Sequence, residues 1–219
     1  MVQIKKSLVD IAYEIIEEKI VTLCLEPGMI ISEKQISEEI GIGRMPVREA
    51  LKRLEGSHLI HVMPRRGMMI AEIKLEEIFQ QIELRRAIEG LVMRDAAINA
   101  TVEERENFLR LAEEFEAANL KNDSKESVRI DNLFNLLSVK ACKNPFLKEA
   151  LKPLHALARR LYYINYSKNK KLIDKINDSH YILMKMIAEG DSEGALEISN
   201  NIIDNVELLY KDSYLKGLI

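Results

Sequence analysis

Apolar residues recur every three or four positions along nearly all of this 219-residue chain, and the pattern fails in one place, near residues 59 to 73. A chain so patterned is restricted to a mostly α fold with a small β element. The spacing of Val9, Ala12, Ile16 and Ile20 predicts a first helix over Leu8–Leu23, broken by "LEPGMII". Ser32, with Gln35 three residues on, reads as the N-cap of a short helix through Ile40. Gly41 and Gly43 turn the chain into a third helix that ends near Gly56. After it, "LIHVMPRRGMMIAEI" reads as two short strands around the turn "PRRG". Helix, helix, turn, helix and hairpin together outline a winged helix-turn-helix.

Beyond Lys74 the strand signals stop. Helices are expected over Leu75–Ala100, from the N-cap Thr101 (with Glu104 completing a capping box) to Asn119, and over Glu126–Ala141, Pro145–Tyr166, Leu172–Glu189 and Asp191–Leu215. The expected architecture is a winged helix-turn-helix domain, residues 1–74, followed by an all-helical antiparallel bundle of six to seven helices, residues 75–219. The joining stretch "AEIKLEE" has no Gly/Ser run, which suits a short, stiff coupling.

With 47% hydrophobic residues the chain has ample core material, yet it holds no run near the 18 or so apolar residues of a membrane span. The start, "MVQIKKSLVD", lacks the apolar centre of a secretory signal. A cytoplasmic protein with no membrane partner is expected. Cys24 and Cys142 stand far apart, without the paired spacing of a zinc site or a disulfide framework. No nucleophile–base pairing or phosphate-binding glycine loop is present, so an enzyme is not expected.

The net charge of −3 conceals a local field. From Arg44 to Arg66 six basic residues (Arg44, Arg48, Lys52, Arg53, Arg65, Arg66) stand against two acidic ones. In "GIGRMPVREALKRLE" Pro46 falls in the first helical turn, where no N–H bond is lost. Val47, Ala50, Leu51 and Leu54 then form an apolar arc, while Arg44, Arg48 and Lys52 line an adjacent edge. A helix of this size fits the major groove, where arginine can hydrogen-bond guanine or grip phosphate. Arg53, on the far side, is a poorer candidate.

The stretch "LEPGMIISEKQISEEIGIGRMPVREALKRLEGSHLIHVMPRRGMMI" resembles the winged helix-turn-helix of GntR-family transcription regulators. The resemblance implies that Arg44 and Arg48 contact bases or phosphates and that Lys34 meets a backbone phosphate. It also implies that the wing tip, Arg66 with Gly67, enters the minor groove, and Arg65 beside it is a further candidate DNA contact. Gly43 and Met45 stand where the family usually has serine and threonine, so two phosphate-bonding hydroxyls are absent from the contact set. Glycine caps nearly as well as serine, so an altered operator preference is expected with the fold kept.

Residues 75 to 215 resemble the FCD effector domain of the FadR subfamily, through "IELRRAIEG", "DNLFNLLSVKACKNP" and "SHYILMKMIAEGDSEGAL". Many members bind a divalent metal (Zn, Ni or Mn) through one aspartate and three histidines, and the metal helps hold a small organic acid. By that resemblance Asp131 and His180 match two ligands, whereas Asn135 and Ile202 stand at the other two, and an amide or aliphatic side chain is a poor substitute. The metal site is therefore expected to be incomplete. Helical spacing turns His180 and Ile202 inward. Arg85 and Glu89 interrupt an inward stripe of Ile78, Ile82, Val92 and Ala96, and either pair with each other or leave Arg85 to receive a ligand carboxylate. Asp131, Asn135, His180 and Asn201 or Asn205 are the further candidate effector contacts, with Tyr162 or Tyr163 closing the pocket.

The leading expectation is a homodimeric, ligand-responsive transcription regulator, more often a repressor in this family, on palindromic double-stranded DNA. Its effector would be a metabolite carboxylate. The alternative is an effector-free DNA-binding dimer whose helical domain serves only dimerisation or partner docking.

Overall fold

The computed structural model describes residues 6–216, apart from the side chains of residues 148 and 149. The chain divides into two compact units between Ile73 and Lys74. The first unit carries a small sheet; the second is helical.

Helix α1 (Leu8–Val21) begins on a capping box in which Ser7 Oγ accepts the Asp10 N–H at 3.1 Å. It buries Ala12, Tyr13, Ile16 and Ile20 and packs on α3. The helix stops two residues short of the expected Leu23, because the Thr22 hydroxyl folds back onto Glu18 O at 2.7 Å and Leu23 turns to φ 60°. Helix α2 (Glu33–Ile40) starts on the expected Ser32–Gln35 box. Helix α3 (Arg44–Gly56) follows after Gly43 and seats Val47, Ala50, Leu51 and Leu54, the four residues of the apolar arc.

Strands β2 (Ile60–Met63) and β3 (Gly67–Ile70) form the expected hairpin, and β1 (Ile30–Ile31) adds to the other side of β3, giving the antiparallel order β1-β3-β2. Strand β1 lies inside the stretch read as a simple break. Two residues cannot display an alternation, so only the backbone groups on the free edge of β3 select them. The pairing is extended beyond the strand, since Gly28 N–H donates to Ile70 O and Ile70 N–H to Met29 O, each at 2.9 Å. Gly67 makes this close approach possible. Its φ is +106°, and a Cβ there would lie 2.6 Å from Ile31 O.

The second unit comprises α4 (Leu75–Asn99), α5 (Val102–Leu120), α6 (Ser124–Ala141), α7 (Pro145–Asn165), α8 (Lys170–Glu189) and α9 (Ser192–Leu215). Thr101 and Glu104 form the expected box, and Asp191 caps α9. Helix α6 starts two residues early because Asp123 caps it, accepting from Glu126 N–H at 3.0 Å. Helix α4 packs on α9 and α6, α5 on α8 and α6, α8 on α9, and α7 on α6. Gly90 lets α4 and α9 close up, since a Cβ would meet Leu196 Cδ1 at 2.6 Å.

Candidate functional site

The first candidate surface is one edge of α3 and the β2–β3 turn. Arg44, Arg48 and Lys52 are exposed along the edge, as their four-residue spacing requires. Arg44 and Lys52 make no hydrogen bond or ion pair among the described residues. Arg48 does: its Nε donates to Glu33 Oε1 at 2.8 Å and its Nη2 to Glu33 Oε2 at 2.8 Å, joining α3 to the first residue of α2. The hydrogen bonds from Arg48 hold the Glu33 carboxyl below its ordinary range. Arg53 is drawn away to Asp10 at 2.8 Å, on α1. Lys34, exposed on α2, lies 3.9 Å from Glu38.

Met45 is 62% exposed at the start of α3, an apolar group presented to solvent beside two arginines. At the hairpin tip Arg65 and Arg66 are both exposed and their side chains are unpaired among the described residues. Arg65 has φ +67° and Arg66 N–H donates to Met63 O at 3.0 Å, which closes the turn. Lys34, Gly43, Arg44, Met45, Arg48, Arg65, Arg66 and Gly67 therefore all lie within the first unit, and all but Arg48 and Lys34 are without a side-chain ion pair.

The second candidate site is a cavity of about 50 Å³ inside the helical unit, with room for about four waters. Helix α4 contributes Arg85 and Glu89, α6 Asp131 and Asn135, α7 His155, Arg159 and Tyr162, α8 His180, and α9 Ser199, Ile202 and Tyr210. Arg85 and Glu89 are the expected pair, Nε to Oε1 at 2.5 Å and Nη2 to Oε2 at 3.2 Å, and they also line the cavity. Burial pushes the Glu89 carboxyl up, but Arg85 and then His155 outweigh it and hold it at about 2. Among the described residues His155 Nε2 is buried without a hydrogen-bond partner, 3.5 Å from Glu89 Oε1. Burial pushes the Tyr210 phenol up to about 12, so it stays a neutral hydroxyl.

Asp131, Asn135 and His180 are brought together as expected. His180 Nδ1 lies 2.9 Å from Ile176 O, so the network assigns its proton there and turns Nε2 to Asp131 Oδ1 at 3.5 Å. Asn135 donates its amide N–H to Asp131 Oδ2 at 2.9 Å, and Ile202 presents an alkyl chain to the same cavity. A donor set of one carboxylate and one imidazole, with the amide turned nitrogen-first, does not fit tight binding of zinc, nickel or manganese. Among the described residues no group of three His, Cys, Asp or Glu could hold a metal ion.

Three of the expected candidates are not brought in. Asn201 is exposed and accepts from Asn205 Nδ2 at 2.6 Å, and neither lines the cavity. One residue along a helix is a rotation of about 100°, so with Ile202 turned inward Asn201 turns out. Tyr163 is likewise absent from the lining, whereas Tyr162 is present with its hydroxyl donating to Asn177 Oδ1 at 2.6 Å. The residues missed from sequence are His155, Arg159, Ser199 and Tyr210. A signal existed on α7, where His155, Ala158, Arg159 and Tyr162 share one face at helical spacing.

A winged three-helix unit with an open cationic edge, joined to a helical bundle around a charged cavity, matches known proteins in both halves. The profile described as "Bacterial regulatory proteins, gntR family" matches residues 8–70, and that of the FCD domain matches residues 80–205, more than half the chain. The chain is an FCD-type member of the GntR family. It is 24% identical over 189 residues to the HTH-type transcriptional regulator McbR of Escherichia coli, covering 85% of this chain and 86% of McbR. Over 85 residues it is 36% identical to the E. coli HTH-type transcriptional repressor RspR, covering 39% of this chain and 37% of RspR. The solved structure of E. coli McbR/YncC superposes with a TM-score of 0.81 at 22% identity, over 95% of this chain and 99% of that one, which establishes the shared fold. This GntR-family regulator binds DNA through its first unit and carries an effector domain in its second. None of its described helices is long and apolar enough to cross a membrane.

Proposed function

We propose that this regulator acts as a cytoplasmic homodimer on a palindromic DNA site, as a repressor, and answers to a small organic acid held in the helical unit without a metal. The observation that carries the reading is the cavity. Arg85, Glu89, His155 and Arg159 are all buried around open space, and charge in a bundle interior is costly unless it serves a partner. A domain that only dimerised would do better with an apolar filling.

The acid's carboxylate is placed beside His155 and Arg159, which line the cavity together with the Arg85–Glu89 pair. The volume suits a short-chain acid. For such a ligand to change DNA affinity it must bind the DNA-competent and incompetent states unequally. Two-fold DNA matched by a two-fold protein doubles the contact set. Dimerisation is supported by exposed Leu84, Leu91 and Ile98, seven residues apart along one stripe of α4. The repressor assignment is supported by the likeness of 85 residues of the chain to the repressor RspR.

The test is a thermal-shift screen of short carboxylic acids on chelator-treated protein, followed by DNA binding with and without the hit. A specific acid raises Tm by mass action, and His155→Ala removes the rise while the ligand-free protein still binds DNA. Stabilisation by acids only after metal is added, or by none, overturns the metal-free effector reading. Leu91→Glu is expected to convert dimer to monomer in sedimentation; a wild-type chain that sediments as a monomer overturns the dimer.

A further inference from the structure

Arg44 and Arg48 stand one turn apart on the same edge of α3, yet among the described residues only Arg48 is gripped from within the protein. Glu33 takes Arg48 Nε at 2.8 and 3.0 Å and Nη2 at 2.8 Å, a two-pronged pairing of carboxylate and guanidinium. We propose that Glu33 is a specificity-determining positioning residue for DNA: it presents Arg48 as a fixed fork for a base and cancels the charge that would draw it onto phosphate. The proposal rests on the DNA-binding role of α3.

A guanidinium has two edges on which parallel N–H groups can meet a flat acceptor pair. Glu33 occupies the Nε–Nη2 edge, so the Nη1–Nη2 edge at the tip remains, oriented by the pairing. That edge matches the N7 and O6 acceptors of guanine in the major groove. The Arg48 side chain is 59% exposed and that of Glu33 27%, so the guanidinium is the more open member of the pair.

Folding alone does not account for the pair. Ion pairs this exposed contribute little to stability, and α2 already has its N-terminus capped by Ser32. Binding alone would not favour it either. A carboxylate on the DNA-facing edge offsets one phosphate-neutralising charge, which lowers affinity for every sequence. A group that weakens indiscriminate binding while fixing a donor pair raises the ratio of specific to non-specific affinity.

The experiment selects bound sequences from random duplexes with the full chain as wild type, Glu33→Gln and Arg48→Lys, then titrates a random-sequence duplex at several salt concentrations. Wild type is expected to enrich a G·C pair in each half of the recovered site. Glu33→Gln is expected to relax that position about tenfold or more and to bind random duplex more tightly. Its salt slope should steepen by about 0.9 per protomer, an extra loss of about 3.5-fold between 50 and 200 mM salt. Arg48→Lys, which keeps the charge and loses the fork, is expected to relax the same position with the wild-type slope. An unchanged preference and slope in Glu33→Gln overturn the role of Glu33 while leaving α3 as the reading helix. No enrichment by wild type overturns both. If Glu33→Gln fails to fold, Glu33→Ala is read in its place: a relaxed position with a steeper slope sustains the proposal, and an unchanged preference and slope overturn it.

Discussion

Arg85 and Glu89 close a two-hydrogen-bond ring one turn apart on α4, both buried and both facing the cavity of the helical unit. The ring lets a guanidinium remain charged in a bundle interior, because its counter-charge is on the same helix and is positioned before the bundle forms. Removing one member strands the other. Glu89→Gln is expected to lower the unfolding free energy by about 3–5 kcal/mol, measured by denaturant titration. A loss below about 1 kcal/mol, the level of an exposed pair, would show that the cavity is wet enough to solvate Arg85 unaided.

The same carboxyl sets an acid limit. Glu89 is held at about 2 and Glu104 also at about 2, the latter because Lys143, the Thr101 N–H and Lys140 outweigh a burial that would raise it. A carboxyl with a lower pKa folded than unfolded contributes stability above its unfolded value, here about 4.5, and that contribution is lost as pH falls toward 2. Stability is therefore expected to be flat near neutrality and to drop between about pH 4.5 and 2. The double variant Glu89→Gln and Glu104→Gln should start lower and fall less over that interval, and a drop of undiminished size would assign acid unfolding to other groups.

Gly67 fixes the wing. Gly67→Ala places a Cβ 2.6 Å from Ile31 O at φ +106°, a backbone strain of roughly 1–3 kcal/mol before the contact is relieved. The variant is expected to unfold at lower temperature and to bind DNA more weakly, because β1 must part from β3 or the turn must open. Unchanged melting would mean that the β1–β3 pairing contributes nothing.

The cationic edge divides by orientation. Arg44→Gln combined with Arg48→Gln is expected to flatten the salt dependence of DNA binding by about 0.9 per protomer, the share of Arg44 alone because Glu33 already offsets Arg48, with melting nearly unchanged because both side chains are exposed. Arg53→Gln, in a residue held by Asp10 on α1, is expected to leave DNA binding close to wild type. Equal losses from both would mean that binding follows net charge alone.

The incomplete metal set can be completed. Asn135→His together with Ile202→His places two imidazoles in the cavity that already holds Asp131 and His180, giving the four donors that zinc takes. Zinc is expected to raise the melting temperature of the double variant and to leave wild type unmoved. An equal rise in wild type would show that Asp131 and His180 suffice.

Local signals gave away every element whose pattern is complete within its own residues. Capping boxes at Ser32 and Thr101 marked helix starts, Pro46 and Gly43 marked the entry to α3, and the four-residue spacing of Arg44, Arg48 and Lys52 announced the exposed edge. Helical phase alone also turned His180 and Ile202 inward and made a partner necessary for Arg85. What the chain withheld were relationships between segments. Strand β1 is too short to show a period and exists because β3 offers it an edge. The pairing of Arg48 with Glu33 joins two helices and cannot be read from either. His155 and Arg159 became cavity residues only when α7 was set against the rest of the bundle, and Asn201 fell outside because the rotation of α9 favours its apolar neighbours. Periodicity and capping act within one element, whereas pairing and burial depend on which surfaces meet, and that is decided when the elements pack.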